Sequence, residues 1–167
     1  QKYDFGLIGL GVMGRNFILN VLDKGFSASG MDLDQEKSKA LQEEAAGMNV
    51  FSTTDLGEFT NSLSVPRKIM LLVPAGAPVD SVIKDLEPLL DKGDLIIDGG
   101  NSFYEDTDRR EKELEKKGIH FIGAGVSGGA KGARFGPSIM PGGKKEAYDL
   151  IRPVFESVSA KVDKSPC

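Results

Sequence analysis

The sequence predicts an α/β fold: one doubly wound domain, residues 1–167, built on a mostly parallel sheet. Three observations predict it. Short apolar runs alternate with longer amphipathic ones, which is the mark of βαβ units. Three glycines, Gly9, Gly11 and Gly14, stand between the first apolar run and the first amphipathic one. An acidic residue, Asp32, closes the second apolar run.

Taken in order, YDFGLIG (3–9) reads as a buried strand. VMGRNFILNVLDKG (12–25) reads as a helix with Phe17, Ile18, Val21 and Leu22 on one face, ended by Gly25. FSASGMD (26–32) is a second strand, and QEKSKALQEEAAG (35–47) a polar-faced helix stopped by Gly47. The alternation continues through strand RKIMLLV (67–73), helix VDSVIKDLEPLL (79–90), strand DLIID (94–98) and the charged helix EDTDRREKELEKKG (105–118). Strand IHFIGAGV (119–126), a glycine-rich stretch and strand PSIMPGG (137–143) follow. Helix KKEAYDLIRPVFESV (144–158) and strand AKVD (160–163) finish the chain, with a kink or early break expected at Pro153. No internal repeat, low-complexity segment or linker interrupts this pattern.

Composition narrows the partners. Hydrophobic residues make up 40% and charged residues 28%, an ordinary globular balance. A net charge of −4 argues against nucleic acid, which demands clustered Lys and Arg. No apolar run approaches the roughly 18 residues of a membrane span. The lone cysteine, Cys167, excludes an internal disulfide and points to an intracellular setting. With one histidine, His120, a multi-His zinc site is excluded as well, and no metal is expected. Gln1 in place of a methionine, and the lack of a terminator at Cys167, read as a fragment of something longer.

Gly9-Leu10-Gly11-Val12-Met13-Gly14 has GxGxxG spacing after a strand and at the start of a helix. The first glycine permits the tight turn, the second lets a pyrophosphate approach, and the third lets helix and strand pack. Free N–H groups around Val12 to Gly14 then face an anion. With Asp32 at the fingerprint's acidic position, the reading is a Rossmann-type dinucleotide site; an ordinary strand–helix turn is the alternative. Asp32 would accept hydrogen bonds from the ribose hydroxyls of NAD. The same carboxylate repels the 2′-phosphate of NADP by about 2–4 kcal/mol at an effective dielectric near 20. NAD is therefore favoured over NADP, although Lys37 or Lys39 could soften the penalty. Asp32 could instead cap the next helix, a role for which Asp34 is the better candidate.

DLIIDGGNSFYEDTDRR followed by GIHFIGAGVSGGAKGARFGPSIMPGG, together with GLGVMGRN and LVPAGAPVD, resembles the N-terminal cofactor-binding domain of decarboxylating 6-phosphogluconate dehydrogenases. The likeness covers nearly the whole chain. It implies oxidation of the C3 hydroxyl of 6-phosphogluconate by NAD(P)+, then loss of CO2 to give ribulose 5-phosphate, a step of the pentose phosphate pathway in the cytoplasm. It also implies roles for particular residues. Gly9 to Gly14 would cradle the pyrophosphate, with Met13 near the nicotinamide; Val73, Pro74 and Ala75 would lie along the dinucleotide, which by the fingerprint reading above Asp32 and the adjacent Leu33 would also border. Asn101 would reach cofactor and substrate, and Ser127, Gly128 and Gly129 would bind the sugar acid. The family's lysine base and glutamate acid match nothing here. They belong to a helical domain expected beyond residue 167, through which the family typically dimerises.

Beside the resemblance, the residues argue independently. GGNS follows an all-apolar strand, where ligands of doubly wound sheets collect, and Asn101 offers both a donor and an acceptor. Several features depart from the family's NADP-linked members, which usually carry Ala at the second glycine, Asn-Arg-Thr after the second strand and Lys in LVKAG. This chain has Gly11, Asp32-Leu33-Asp34 and Pro74. Ala130, followed by Lys131, replaces the usual acidic residue after VSGG. Lys131 reads as a solvated loop charge, His120 as structural, and EDTDRREKELEKK as a solvated helix face with i,i+4 pairs. Two rival readings remain: a β-hydroxyacid dehydrogenase acting on a small unphosphorylated acid, and a non-catalytic dinucleotide-sensing module.

Overall fold

The computed structural model describes residues 1–167. Its main strands are β1 (Phe5–Ile8), β2 (Ala28–Met31), β3 (Val50–Thr53), β4 (Lys68–Leu71), β5 (Leu95–Asp98), β6 (His120–Ser127) and β7 (Ser138–Gly143). They form one seven-stranded sheet in the order β3-β2-β1-β4-β5-β6-β7. The first six strands run parallel, and β7 closes the edge antiparallel to β6. The order reverses between β1 and β4, so the crevice of this doubly wound sheet opens there, beyond the strands' carboxyl ends.

Seven helices cover the sheet: α1 (Val12–Asp23), α2 (Gln35–Glu44), α3 (Leu56–Ser62), α4 (Ala77–Leu86), α5 (Tyr104–Glu115), α6 (Gly129–Phe135) and α7 (Lys145–Val158). Alternate residues of each strand point to opposite faces. Leu7, Met70, Ile97 and Ile122 therefore join Phe17, Ile18, Ile151 and Phe155 in one apolar cluster. On the other face Ile8, Leu71, Ile96 and Phe121 pack with Phe59, Val79, Ile83 and Leu114. Burial on both faces explains why the central strands read as uninterrupted apolar runs.

Four features depart from the sequence reading. Strand β3 and helix α3 fill a segment for which no element was expected. VFST and LGEFTNS are too short to show a period, although Asp55 caps α3 by accepting from the Glu58 N–H at 2.7 Å. Part of the glycine-rich stretch is helical, α6, so Lys131 is an exposed helix residue rather than a loop charge. Pro153 does not end α7 early. It lies on the solvent face, where the carbonyl it leaves unpaired, that of exposed Asp149, can be hydrated. Finally, AKVD is no strand of the main sheet. It supplies β8 (Lys161–Val162), which pairs only with β9 (Ser165–Pro166) in an exposed hairpin.

A buried amide holds α1 against this end of the chain. Asn20, 2% exposed, donates to the carbonyls of Ala133 in α6 at 3.1 Å and Val158 in α7 at 3.0 Å. A polar residue on the apolar face of α1 gave no sequence sign of that role.

Candidate functional site

The glycine loop leaves β1 through Gly9, whose N–H continues the ladder by donating to the Met31 carbonyl at 2.9 Å. Two of its glycines are required by the chain's own packing. A Cβ at Gly9 would strike the Leu72 carbonyl, and one at Gly14 would strike the carbonyl of Gly9. Gly11 differs: a Cβ there would meet nothing within 4 Å. Its smallness serves no internal contact, so a ligand is the natural beneficiary. Gly11 caps α1, and the first turn carries no acidic side chain. The N–H groups of Val12, Met13 and Gly14 thus open the helix with its dipole uncompensated. Val12 is exposed and Met13 half-buried against the core.

Both carboxylate oxygens of Asp32 hold backbone. Oδ2 accepts from the Leu10 N–H at 2.8 Å, and Oδ1 accepts from the Asp34 N–H at 3.0 Å. Arg15 grips the next peptide unit, donating to the Leu10 carbonyl at 2.8 Å while pairing with Glu44. The Lys37 ammonium lies 3.7 Å from Asp32 Oδ2. Asp34, not Asp32, caps α2, as its side chain accepts from the Glu36 N–H. Asp32 and the exposed Leu33 line a cleft of about 370 Å³ with Gly9, Met31, Leu56 and Val73. Leu33, Leu56, Val73 and Val82 give it apolar walls and Asp32, Asp55 and Asp85 add carboxylates, a lining that suits a hydroxyl-bearing nucleoside.

From this cleft the loops form a continuous line across the sheet. A Cβ at Gly9 would lie 3.4 Å from Val73, and one at Gly100 would lie 2.7 Å from the Val73 carbonyl. Pro74 and Ala75 stand exposed beside Val73. Next comes Asn101, exposed and in the left-handed region at φ 56°, a conformation asparagine tolerates better than most residues. Its Oδ1 accepts a long 3.4 Å hydrogen bond from the Val126 N–H, which brings it beside Ser127. Ser127, Gly128 and Gly129 are exposed where β6 turns into α6. The sequence-predicted residues thus gather along one edge. His120 starts β6 away from that edge, where its N–H donates to the Asp94 carbonyl.

The charged helix α5 corrects one expectation. Arg109 does make surface pairs with Asp106 and Glu113. Arg110 is 1% exposed and is not part of a solvated face. Its Nε and Nη2 donate to the two oxygens of Asp80 at 2.9 and 3.2 Å, and Nη2 donates to the Gly76 carbonyl at 3.1 Å. Nη1 lies 3.4 Å from Asp98 Oδ2. The Arg110 hydrogen bond, with that from Arg109, outweighs partial burial and lowers the Asp80 carboxyl to about 2. The one hint in EDTDRREKELEKK is Leu114, a core residue one turn after Arg110 and on the same helix face. The sheet's three-dimensional edge is what singles out Arg110.

A glycine loop at a switch point, an acidic residue after β2 and a nucleoside-sized cleft define a dinucleotide-binding domain. The comparisons agree: residues 4–165 match the family described as the NAD binding domain of 6-phosphogluconate dehydrogenase, and the chain belongs to that family. All of it aligns at 53% identity with 36% of an NADP(+)-dependent, decarboxylating 6-phosphogluconate dehydrogenase from Bacillus subtilis. A Plasmodium falciparum 6-phosphogluconate dehydrogenase, solved apo, with its cofactor NADP+ and with its substrate 6-phosphogluconate, superposes with a TM-score of 0.94. That match is 42% identical and covers 98% of this chain and 35% of the other. A Mycobacterium tuberculosis 3-hydroxyisobutyrate dehydrogenase matches 96% of this chain and 53% of its own at TM-score 0.82 and 25% identity. The chain spans about a third of the length of the 6-phosphogluconate dehydrogenases it matches.

Proposed function

We propose that this chain is the cofactor-binding part of an enzyme that oxidatively decarboxylates 6-phosphogluconate to ribulose 5-phosphate and CO2. The observation that carries the reading is the unbroken line from Gly9 through Val73 and Gly100 to Asn101 and Ser127. That line supports adjoining seats for a dinucleotide and a sugar acid. The bound dinucleotide supplies the hydride acceptor for the substrate's C3 carbon. The chain's own residues bind and orient. The first turn of α1 offers N–H groups to the pyrophosphate, and Asp32 accepts from ribose hydroxyls. Leu33, Val73, Pro74 and Ala75 flank the dinucleotide. Asn101 presents donor and acceptor between cofactor and substrate, while Ser127, Gly128 and Gly129 present a hydroxyl and N–H groups to the sugar acid. Proton transfer falls to a lysine and a glutamate beyond residue 167, so this chain alone binds without turnover. The whole protein acts as a cytoplasmic homodimer.

For the dinucleotide, the Asp32 carboxylate favours NAD+ over NADP+, although the Bacillus and Plasmodium proteins are described with NADP+. Calorimetric titration with each dinucleotide tests this. Tighter NAD+ binding is expected. Asp32→Asn should shift the NADP+ to NAD+ preference by roughly one to three powers of ten toward NADP+. Asparagine is the informative replacement, because alanine would also strip the Leu10 N–H of its acceptor. Tighter NADP+ binding by the unaltered protein would overturn the NAD+ preference and direct attention to Lys37 as phosphate partner. Turnover by the full-length protein, assayed with 6-phosphogluconate and with 3-hydroxyisobutyrate, separates the main reading from the β-hydroxyacid one. Dinucleotide binding with neither acid consumed would instead favour a sensing module.

A further inference from the structure

We propose that Arg110 is a positioning residue that fixes the Asn101 loop relative to the Val73–Gly76 loop, so that substrate and dinucleotide meet at a set distance. The inference rests on the functional reading above. Arg110 reaches both loops. Toward the cofactor side it holds the Gly76 carbonyl and Asp80 in the first turn of α4. Toward the substrate side it faces Asp98, the last residue of β5. Asp98 in turn brackets Asn101, accepting from the Gly100 N–H at 2.9 Å before it and from the Ser102 hydroxyl after it. Asn101 itself makes just the long bond to Val126, so its left-handed backbone depends on those flanking clamps.

Stability alone is a poor reason for this arrangement. Burying a guanidinium and a carboxylate incurs a desolvation cost that their attraction roughly offsets, and well-packed apolar residues often serve a core better. The same strand offers a contrast. Asp94, just before the amino end of β5, is also buried, and it accepts from the Arg67 side chain and the N–H groups of Arg67 and Asp91. That pair ties the opposite edge of the sheet, where no candidate site residue lies. Asp98 and Arg110 repeat the pairing at the edge where the two loops meet. Arg110 makes four hydrogen bonds from three nitrogens spread over a planar fork, whereas an ammonium has three donors on a single atom.

The test is steady-state kinetics of the full-length protein with 6-phosphogluconate and its preferred dinucleotide, comparing Arg110→Lys with the unaltered enzyme. Lysine keeps the charge but cannot span Asp80, Gly76 and Asp98. A displacement of about 1 Å between reacting groups can reduce the rate by up to a hundredfold. We expect kcat to fall at least roughly tenfold, the dinucleotide to titrate to full stoichiometry, and both KM values to move far less than kcat. A residue of merely structural importance would lower Tm and leave kcat per dinucleotide-binding site unchanged; that outcome overturns the proposal. Should Arg110→Lys fail to fold, Ser102→Ala removes only the hydroxyl donated to Asp98. It should lower kcat in the same sense, and an unaltered kcat there overturns the proposal equally. Unaltered protein that is inert toward 6-phosphogluconate would sink the functional reading itself. An active unaltered enzyme beside an unimpaired Arg110→Lys would sink this inference alone.

Discussion

The two glycine-rich turns of this molecule, Gly9 to Gly14 and Gly128 to Gly132, solve the same problem with different materials. Each takes a strand's carboxyl end into a helix, and each contains glycines of two kinds. Gly14 and Gly128 are small because the chain itself needs the space. Added Cβ atoms would strike the Gly9 carbonyl in one case and approach Gly132 Cα to 2.9 Å in the other. Gly11 and Gly129 have nothing within 4 Å of where a Cβ would stand. The first turn is also gripped by neighbouring side chains, Asp32 at the Leu10 N–H and Arg15 at the Leu10 carbonyl. Around the second turn the fixed point is a helix contact, Asn20 holding the Ala133 carbonyl at the far end of α6. One turn is braced by side chains, and the other is placed by packing.

If that division is correct, alanine at the closed positions should damage the fold, and alanine at the open positions should cost no more than its backbone conformation demands. Gly14→Ala carries the largest expected effect. Helix α1 cannot stay against β1 with a methyl group in the Gly9 carbonyl, so a loss of about 3 kcal/mol or more is expected, roughly 6–12 °C in Tm for a domain of this size. A thermal melt within 2 °C of the parent would break the comparison at its base. Gly128→Ala should follow at about 2 kcal/mol, combining the approach to Gly132 with φ +126°, a conformation alanine adopts only under strain. Differential scanning calorimetry of both variants ranks them, and the reverse order would show that the second turn is the more rigid.

How much of this was legible beforehand follows the same split. The spacing Gly9, Gly11, Gly14 and the acid at Asp32 are local, and local pattern suffices where a loop is built from consecutive residues. Asn101 could be placed because it follows the run of apolar residues in β5. The seat of α6 could not, because GGAKGARFG has weak helix propensity and turns helical against α1. β3 and α3 escaped for want of length, and only the Asp55–Glu58 cap marked them. Arg110 escaped for a deeper reason. Burial of one charge in a run of charges is decided by which way α5 faces, and a single apolar residue, Leu114 one turn later, was the sole mark of that face.

The charge cluster around Arg110 gives a smaller, pH-dependent prediction. Asp80 is held at about 2 against an ordinary value near 3.8. A carboxyl lowered on folding stabilises fully above its unfolded pKa, and that contribution is lost as pH falls through the folded value. Between pH 5 and pH 2.5 the parent should lose more of its urea midpoint than Asp80→Asn. The difference stays small, below about 1 kcal/mol, because a side chain 40% exposed is screened by water. Equal losses in parent and variant would show that the pairing with Arg110 and Arg109 persists in the unfolded chain or contributes nothing.

The open positions provide the finest test, because folding and binding should separate there. Gly129→Ala still pays for φ +61°, about 1 kcal/mol. Gly11 sits at φ −63° and ψ −176°, which any residue adopts. Gly11→Ala loses a favourable helix cap residue but gains from a less flexible unfolded chain, so the two effects nearly cancel and Tm should stay within roughly 2 °C. The methyl group then projects into the open space beside the first turn of α1, which the proposed function assigns to a pyrophosphate. Dissociation of the dinucleotide, read by calorimetry on the same sample, should weaken roughly three- to tenfold, or about 0.7–1.4 kcal/mol. Unchanged affinity would mean that the phosphates pass elsewhere and that the open glycine is open to solvent alone. A matching fall in Tm would mean that Gly11, like Gly14, serves the fold, and the distinction between the two kinds of glycine would be lost at the turn where it is clearest.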